Sequence, residues 1–256
     1  LRVQEFDLPP LDEQKRIADL LWAIERHRLQ ALKVAQSVVK AKSVTFAERL
    51  AQGVDEAGWD RAPVSSLVIS GPTNGKSSPA NDEDRGVPTL SISAVRDGRV
   101  RGGDSVKYVD VDAASVAAYV LQDDDFLVVR GNGNRQLTGR GGLVTGGLPD
   151  GCIYPDLLIR LRFDASQMLP GFAAEQWNSS FAHATLLEHA KSTNGIWKIN
   201  GKDIKAHCLV APPLANQAAI LDELRSFDTT SEAFQAEASA LLELRRAVFV
   251  ELSGGK

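Results

Sequence analysis

The chain has 256 residues, of which 43% are hydrophobic and 24% charged. These ordinary proportions allow a buried core and argue against a disordered chain or one inserted in a membrane. The formal net charge of −4 excludes a protein that coats nucleic acid by bulk electrostatics, but not one with a local basic face.

No apolar run reaches about 18 residues, the length that a membrane span needs, so no membrane association is expected. Two cysteines, Cys152 and Cys208, with neither a CxxC nor a nearby histidine pair, offer no zinc site and no disulfide framework. A reducing cytoplasm is the expected location.

Residues 1–8 alternate apolar and polar (Leu1, Val3, Phe6, Leu8) and read as a strand. The opening resembles neither a translation start nor a signal peptide, and is read as part of a longer protein. The strand feeds Pro9-Pro10-Leu11-Asp12-Glu13-Gln14-Lys15-Arg16-Ile17, and the chain nearly repeats this at Pro212-Pro213-Leu214-Ala215-Asn216-Gln217-Ala218-Ala219-Ile220. The two copies stay in register without a gap through Val38/Leu241, Lys42/Arg245, Phe46/Phe249 and Glu48/Glu251, farther than a chance tripeptide match would hold.

Each proline pair stops a strand and starts a helix, because proline cannot donate to a ladder while its fixed φ suits a first helical turn. Asp12 and Glu13 lie where a helix N-terminus favours negative charge. Beyond Ile17 the apolar or small residues step by four and three through Leu21, Ile24, Ala31, Ala35, Val38 and Thr45, with polar breaks at Arg28 and Lys42. The second copy gives Ile220, Leu224, Phe227, Phe234, Ala238, Leu241, Val248 and Leu252, with breaks at Ser231 and Arg245.

That spacing predicts two coiled-coil helices, over 9–53 and 212–253. Each would run roughly 40 residues, or about 60 Å at 1.5 Å per residue. Periodicity alone favours a structural hairpin or a dimerisation stalk.

Between them, over 58–211, the pattern changes to short apolar runs broken by Gly, Pro, Asn and Asp. Strands are predicted at 66–69, 87–92, 106–109, 126–129, 142–145, 157–163 and 204–211, and helices at 113–121 and 172–190. The expected fold class is α+β: one strand-rich domain flanked by two long helices that form an antiparallel coiled coil.

Gly71-Pro72-Thr73-Asn74-Gly75-Lys76-Ser77 is one residue too short for a phosphate-cradling loop and opens no long helix. A nucleotide-hydrolysing site is rejected there, leaving Lys76 on a flexible loop. Arg130-Gly131-Asn132-Gly133-Asn134-Arg135-Gln136-Leu137-Thr138-Gly139-Arg140 has no acid and is rich in the side chains that can make paired hydrogen bonds to guanine and adenine. The competing reading is a long hairpin with glycine and asparagine at positive φ.

Residues 191–202 mix lysines, hydroxyls and amides around Trp197, as a loop that grips phosphates would, although Trp197 and Ile199 also suit a core strand. Arg96, Arg99 and Arg101 surround a hairpin turn at Asp97-Gly98. The histidines His27, His183, His189 and His207 are scattered, and no catalytic constellation stands out.

In combination the sequence resembles the specificity (S) subunit of type I restriction-modification enzymes. The resemblance is carried by the two Pro-Pro-Leu helix openings with Gln14, Gln217, Ile17 and Ile220, and by Gly58-Trp59, Gly86-Val87-Pro88 and Ser91-Ile92-Ser93. It is carried too by Asp125-Phe126-Leu127-Val128-Val129-Arg130-Gly131-Asn132, Gly139-Arg140 and Gly142-Leu143-Val144.

It implies a target-recognition domain over 58–211, with 1–8 the remnant strand of a preceding one, in the C-terminal half of a subunit or in a half-subunit. This chain departs from the family pattern in having one recognition domain, and Asn216 where the second opening would carry an acid. The resemblance further implies double-stranded DNA as ligand, methyltransferase (M) subunits docked on the helices, a restriction/translocase (R) subunit, and self-association of half-subunits. No catalytic residue and no directly bound cofactor are expected, with S-adenosylmethionine on the partner methyltransferase.

Lys76, Arg96, Arg99, Arg130, Asn132, Asn134, Arg135, Arg140, Lys191, Asn194 and Lys198 are the candidate DNA contacts, and the Arg130 to Arg140 loop is the strongest of them. The alternative is a coiled-coil adaptor whose insert binds a protein or peptide.

Overall fold

A computed structural model describes residues 10–81 and 83–252. The strand expected over 1–8 lies outside these residues.

In chain order the chain forms α1 (Leu11–Ala57), β1 (Arg61–Pro63), α2 (Val64–Leu67), β2 (Val68–Asn74), β3 (Ala80–Asn81), β4 (Val87–Leu90), β5 (Val95–Arg96) and β6 (Arg99–Val100). β7 (Val106–Val109), α3 (Ala113–Val116), β8 (Asp125–Val129), β9 (Gly131–Asn132), β10 (Gly141–Leu143) and β11 (Leu158–Phe163) follow. The rest is α4 (Pro170–Asn178), α5 (Ser180–Glu188), β12 (Lys191–Thr193), β13 (Ile196–Lys198), α6 (Gly201–Ala206), β14 (Cys208–Val210) and α7 (Leu214–Leu252).

These elements divide into two compact units. The helical unit contains the α1 segment ending at Phe46 and the α7 segment starting at Asp222. The two run antiparallel: Lys42 Nζ lies 2.9 Å from Asp228 Oδ1, Ser231 Oγ donates to the Ala35 carbonyl at 3.5 Å, and Arg245 lies 3.5 Å from Glu25. Ile24, Ala31, Ala35, Leu224 and Ala238 are buried along the seam. Three of the four polar breaks in the heptads, Lys42, Ser231 and Arg245, therefore pair across it, while Arg28 pairs with Glu25 of its own helix.

The second unit, Ala47–Leu221, is built on a mixed six-stranded sheet of order β2-β11-β8-β10-β6-β5. Its central strand β8 is buried at every residue, as a run covered on both faces should be. Alternation sends Leu127 and Val129 to one side, into a cluster with Leu90, Val100, Tyr154 and Leu158. Phe126 faces the other side and meets Trp177 of α4 at 5.4 Å between ring centroids. Gly141 is required beside it, since a Cβ there would lie 2.0 Å from the Phe126 ring.

Two three-stranded sheets, β3-β7-β4 and β12-β13-β9, and the pair β1-β14 complete the unit. The antiparallel coiled coil and the α+β insert agree with the sequence expectation.

Several local expectations need correction. α1 continues past Gly53 to Ala57, because the Trp59 ring occupies the space a Cβ at Gly53 would fill and Gly58, at φ +66°, turns the chain. The strand expected over 66–69 begins only at Val68, after the helical turn α2.

The helix expected over 172–190 is two helices broken at Ser179, whose extended ψ ends α4 and whose Oγ caps α5. The strand expected over 204–211 is reduced to β14, because Asn200 and Asp203 form a capping box that makes 201–206 helical. The long hairpin over 130–142 is absent, since β9 pairs with β13 rather than β10 and Asn134 caps a 3-10 turn over Arg135–Leu137.

Candidate functional site

The β12-β13-β9 sheet is where the structure gathers candidates that lie far apart in the chain. β12 and β13 form a ribbon closed by Asn194 and Gly195 at φ 52° and 77°, the conformation of a two-residue type I′ turn. In the register, Lys191 stands opposite Lys198, Ser192 opposite Trp197, and Asn132 of β9 opposite Trp197. Lys191, Asn194 and Lys198 are exposed, Asn132 is half-buried, and none of the residues in the three strands is acidic.

Arg135 lies over the Trp197 ring at 5.0 Å from its centroid and donates to the Leu187 carbonyl at 3.2 Å. The cation on the indole and the carbonyl behind it fix the loop after β9 against the ribbon. Arg130 is directed toward Asp156, donating to its carbonyl at 3.4 Å with its carboxylate 3.8 Å away.

Arg140 is half-buried, and its guanidinium donates to the carbonyls of Asn178 at 2.9 Å and Gln136 at 3.3 Å. Burial lowers its pKa from the ordinary guanidinium value. Asn134 is exposed, but its side chain accepts from the Gln136 amide, and that of Asn132 accepts from the Asn134 amide at 2.8 Å. All three arginines of the loop thus hold the loop to its surroundings.

The loop is anchored below by α4 and α5. Trp177 Nε1 donates to the Gly139 carbonyl at 2.8 Å, and His183 Nε2 lies 2.8 Å from the Thr138 carbonyl. Burial lowers the His183 pKa, against the opposing effect of that carbonyl.

Lys76 lies elsewhere, after β2. Gly71 to Asn74 are strand, and the Gly75 and Lys76 amides donate to the carbonyls of Leu158 and Tyr154, so they make no phosphate nest. Arg96 and Arg99 face each other across the β5–β6 hairpin at the edge of the six-stranded sheet. Arg96 donates to Ser105 Oγ at 3.1 Å, and Arg101 lies 4.0 Å from Asp97.

Sequence reasoning had no means to find Asp156, Asn178 and Leu187 as partners of the loop arginines. The ribbon itself had a signal: Asn194-Gly195 between short β-forming runs is a strong hairpin mark. Among the described residues, no group of three or more His, Cys, Asp or Glu side chains is placed to hold a metal ion, and no helix is long and apolar enough to cross a membrane.

No family model matches the sequence. The chain is 29% identical over 238 residues to the type I restriction enzyme EcoKI specificity subunit of Escherichia coli (strain K12), covering 86% of this chain and 51% of that protein. It is 27% identical over 244 residues to the type I restriction enzyme StySPI specificity subunit of Salmonella potsdam, with the same coverage. The chain therefore spans about half the length of the curated relatives it matches.

Its fold is similar to the HsdS subunit from Thermoanaerobacter tengcongensis, with a TM-score of 0.56 at 20% identity over 97% of this chain and 60% of that one. It is also similar to the type I restriction-modification S subunit from M. genitalium, with a TM-score of 0.52 at 14% identity over 94% and 61%.

Proposed function

We propose that this chain, a homologue of type I restriction enzyme specificity subunits, reads one half of a bipartite target in double-stranded DNA and docks methyltransferase subunits through its two long helices. The observation that supports the reading most is the β12-β13-β9 sheet. It presents Lys191 and Lys198 on one face, Asn132 beside the Arg135–Trp197 stack on the other and Asn194 at the tip, with no acid in its strands. Lysines supply phosphate contacts and asparagine can read an adenine edge.

The chain has no chemistry of its own in this reading. Methylation, with S-adenosylmethionine, and cleavage belong to the methyltransferase and restriction subunits of a cytoplasmic complex. Lys76, Arg96 and Arg99 are second-tier candidates on other faces of the unit, and Arg130, Arg135 and Arg140 shape the loop that supports the ribbon. The adaptor alternative is not favoured, because the curated relatives are specificity subunits.

Methylome sequencing of a host that carries the intact system tests the proposal. A bipartite methylated motif, one half of which changes when Asn194 and Asn132 are replaced by alanine, is the expected result. A methylation pattern indifferent to the whole chain would overturn it.

A further inference from the structure

Lys191 and Lys198 stand directly opposite each other in the antiparallel register of the ribbon, so both side chains leave the same face. Both are exposed, and neither has an ion-pair partner among the described residues. Like charges placed so repel each other.

The β5–β6 hairpin sets Arg96 opposite Arg99 in a similar way, but there Ser105 Oγ takes up Arg96 and Asp97 lies at the tip. The lysine ribbon has no such relief. The third strand adds no side chain to the lysine face: Gly131 stands opposite Lys198, and a Cβ there would lie 3.2 Å from Lys198 Cγ. The lysine stem thus rests on bare backbone, while the opposite face is filled by Trp197 under Arg135.

We propose that Lys191 and Lys198 form a clamp on a single backbone phosphate of duplex DNA, which seats the ribbon with its Asn194-Gly195 tip in the major groove. The inference rests on the DNA-recognition reading above and deepens it. A two-stranded ribbon fits a major groove about 12 Å wide. The phosphate lying between two unpaired ammonium groups turns their repulsion into two charge-assisted hydrogen bonds.

The ribbon is an exposed edge rather than an enclosed cavity. A free anion would find two contacts there, whereas a duplex supplies the remainder along the groove. A phosphate fixed at the ribbon's base sets the register in which Asn194 meets a base edge.

The test uses the full chain assembled with methyltransferase subunits, on a set of duplexes that differ in sequence, across a salt series. Wild type is compared with Lys191→Gln, Lys198→Gln and the double variant. The double variant is expected to bind every sequence more weakly by the same factor. Its plot of log K against log salt should be shallower by about one, the contribution of one phosphate. The melting temperature of the variant chain should be unchanged or raised, because a repulsion has been removed.

An unchanged slope, a slope shallower by about two, a loss confined to one base position, or a fall in melting temperature would each overturn the clamp. If the wild-type complex binds no duplex at all, the DNA-recognition reading fails first and the clamp with it. That outcome is distinguished because it precedes any substitution.

Discussion

The side chain of Gln217 closes on the backbone amide of Leu169. Its Oε1 accepts that N–H at 2.8 Å, while its Nε2 donates to the carbonyls of Gln167 at 2.8 Å and Pro212 at 2.7 Å. Gln217 has no exposed surface, so the glutamine of the repeated Pro-Pro-Leu motif ties the start of α7 to the loop before α4. Replacing Gln217 with alanine leaves one amide and two carbonyls short of a partner. It should cost about 3 kcal/mol, since each buried group left unpaired costs roughly 1–3 kcal/mol. Urea denaturation should show the midpoint lowered at unchanged slope; an unshifted midpoint would refute the role.

By residue type Arg140 is the most attractive base reader, yet its guanidinium is committed to the Asn178 and Gln136 carbonyls. Arg140→Ala should therefore lower stability by about 2 kcal/mol, in the range for hydrogen bonds from charged groups. The salt slope of DNA binding should stay where it is. A shallower slope at unchanged stability would return Arg140 to the interface.

The parts of the fold that were legible in the sequence report themselves through local periodicity. The heptads of both long helices, their matching polar breaks and the apolar run of β8 all follow from which side chains face inward. The break at Ser179 and the capping box of Asn200 and Asp203 were also encoded locally, but were hidden inside longer apolar patterns. What the sequence could not disclose was the pairing of β9 with β13, a contact between segments more than sixty residues apart. That pairing decides which residues of the Arg130 to Arg140 loop face outward. Arg135 and Arg140 are held by carbonyls of α5 and α4 and Arg130 by Asp156, partners that no residue pattern announces.

In the helical unit, Ala31 and Ala35 are almost fully buried, and the Ala35 carbonyl receives Ser231 Oγ. Small side chains there set how closely α1 and α7 approach. Ala35→Leu should cost about 1–3 kcal/mol by overpacking, measured as loss of helical signal at a lower temperature. Gln36→Leu, one position away and exposed, should leave the transition in place. Equal behaviour of the two variants would contradict the seam.

His207 makes the stability of the Ala47–Leu221 unit depend on pH. It is 6% exposed, packs edge-on to Trp177 at 5.1 Å, and its Nε2 has no hydrogen-bond partner among the described residues. Burial lowers its pKa from 6.5 to about 4, with smaller contributions from His189 and His183. The unfolded chain therefore takes up a proton that the folded chain refuses over this window. Stability from the neutral ring is fully present above about pH 6.5 and is lost as pH falls toward 4. At 1.36 kcal/mol per unit the whole effect is about 3 kcal/mol, of which about 2 kcal/mol is gone by pH 5. His207→Phe keeps the ring packing and removes the titration of this ring. Wild type should therefore lose about 2 kcal/mol more than the variant between pH 7 and pH 5 in urea denaturation. Parallel pH profiles would show that His207 titrates alike in the folded and unfolded chain, and would refute the effect of burial.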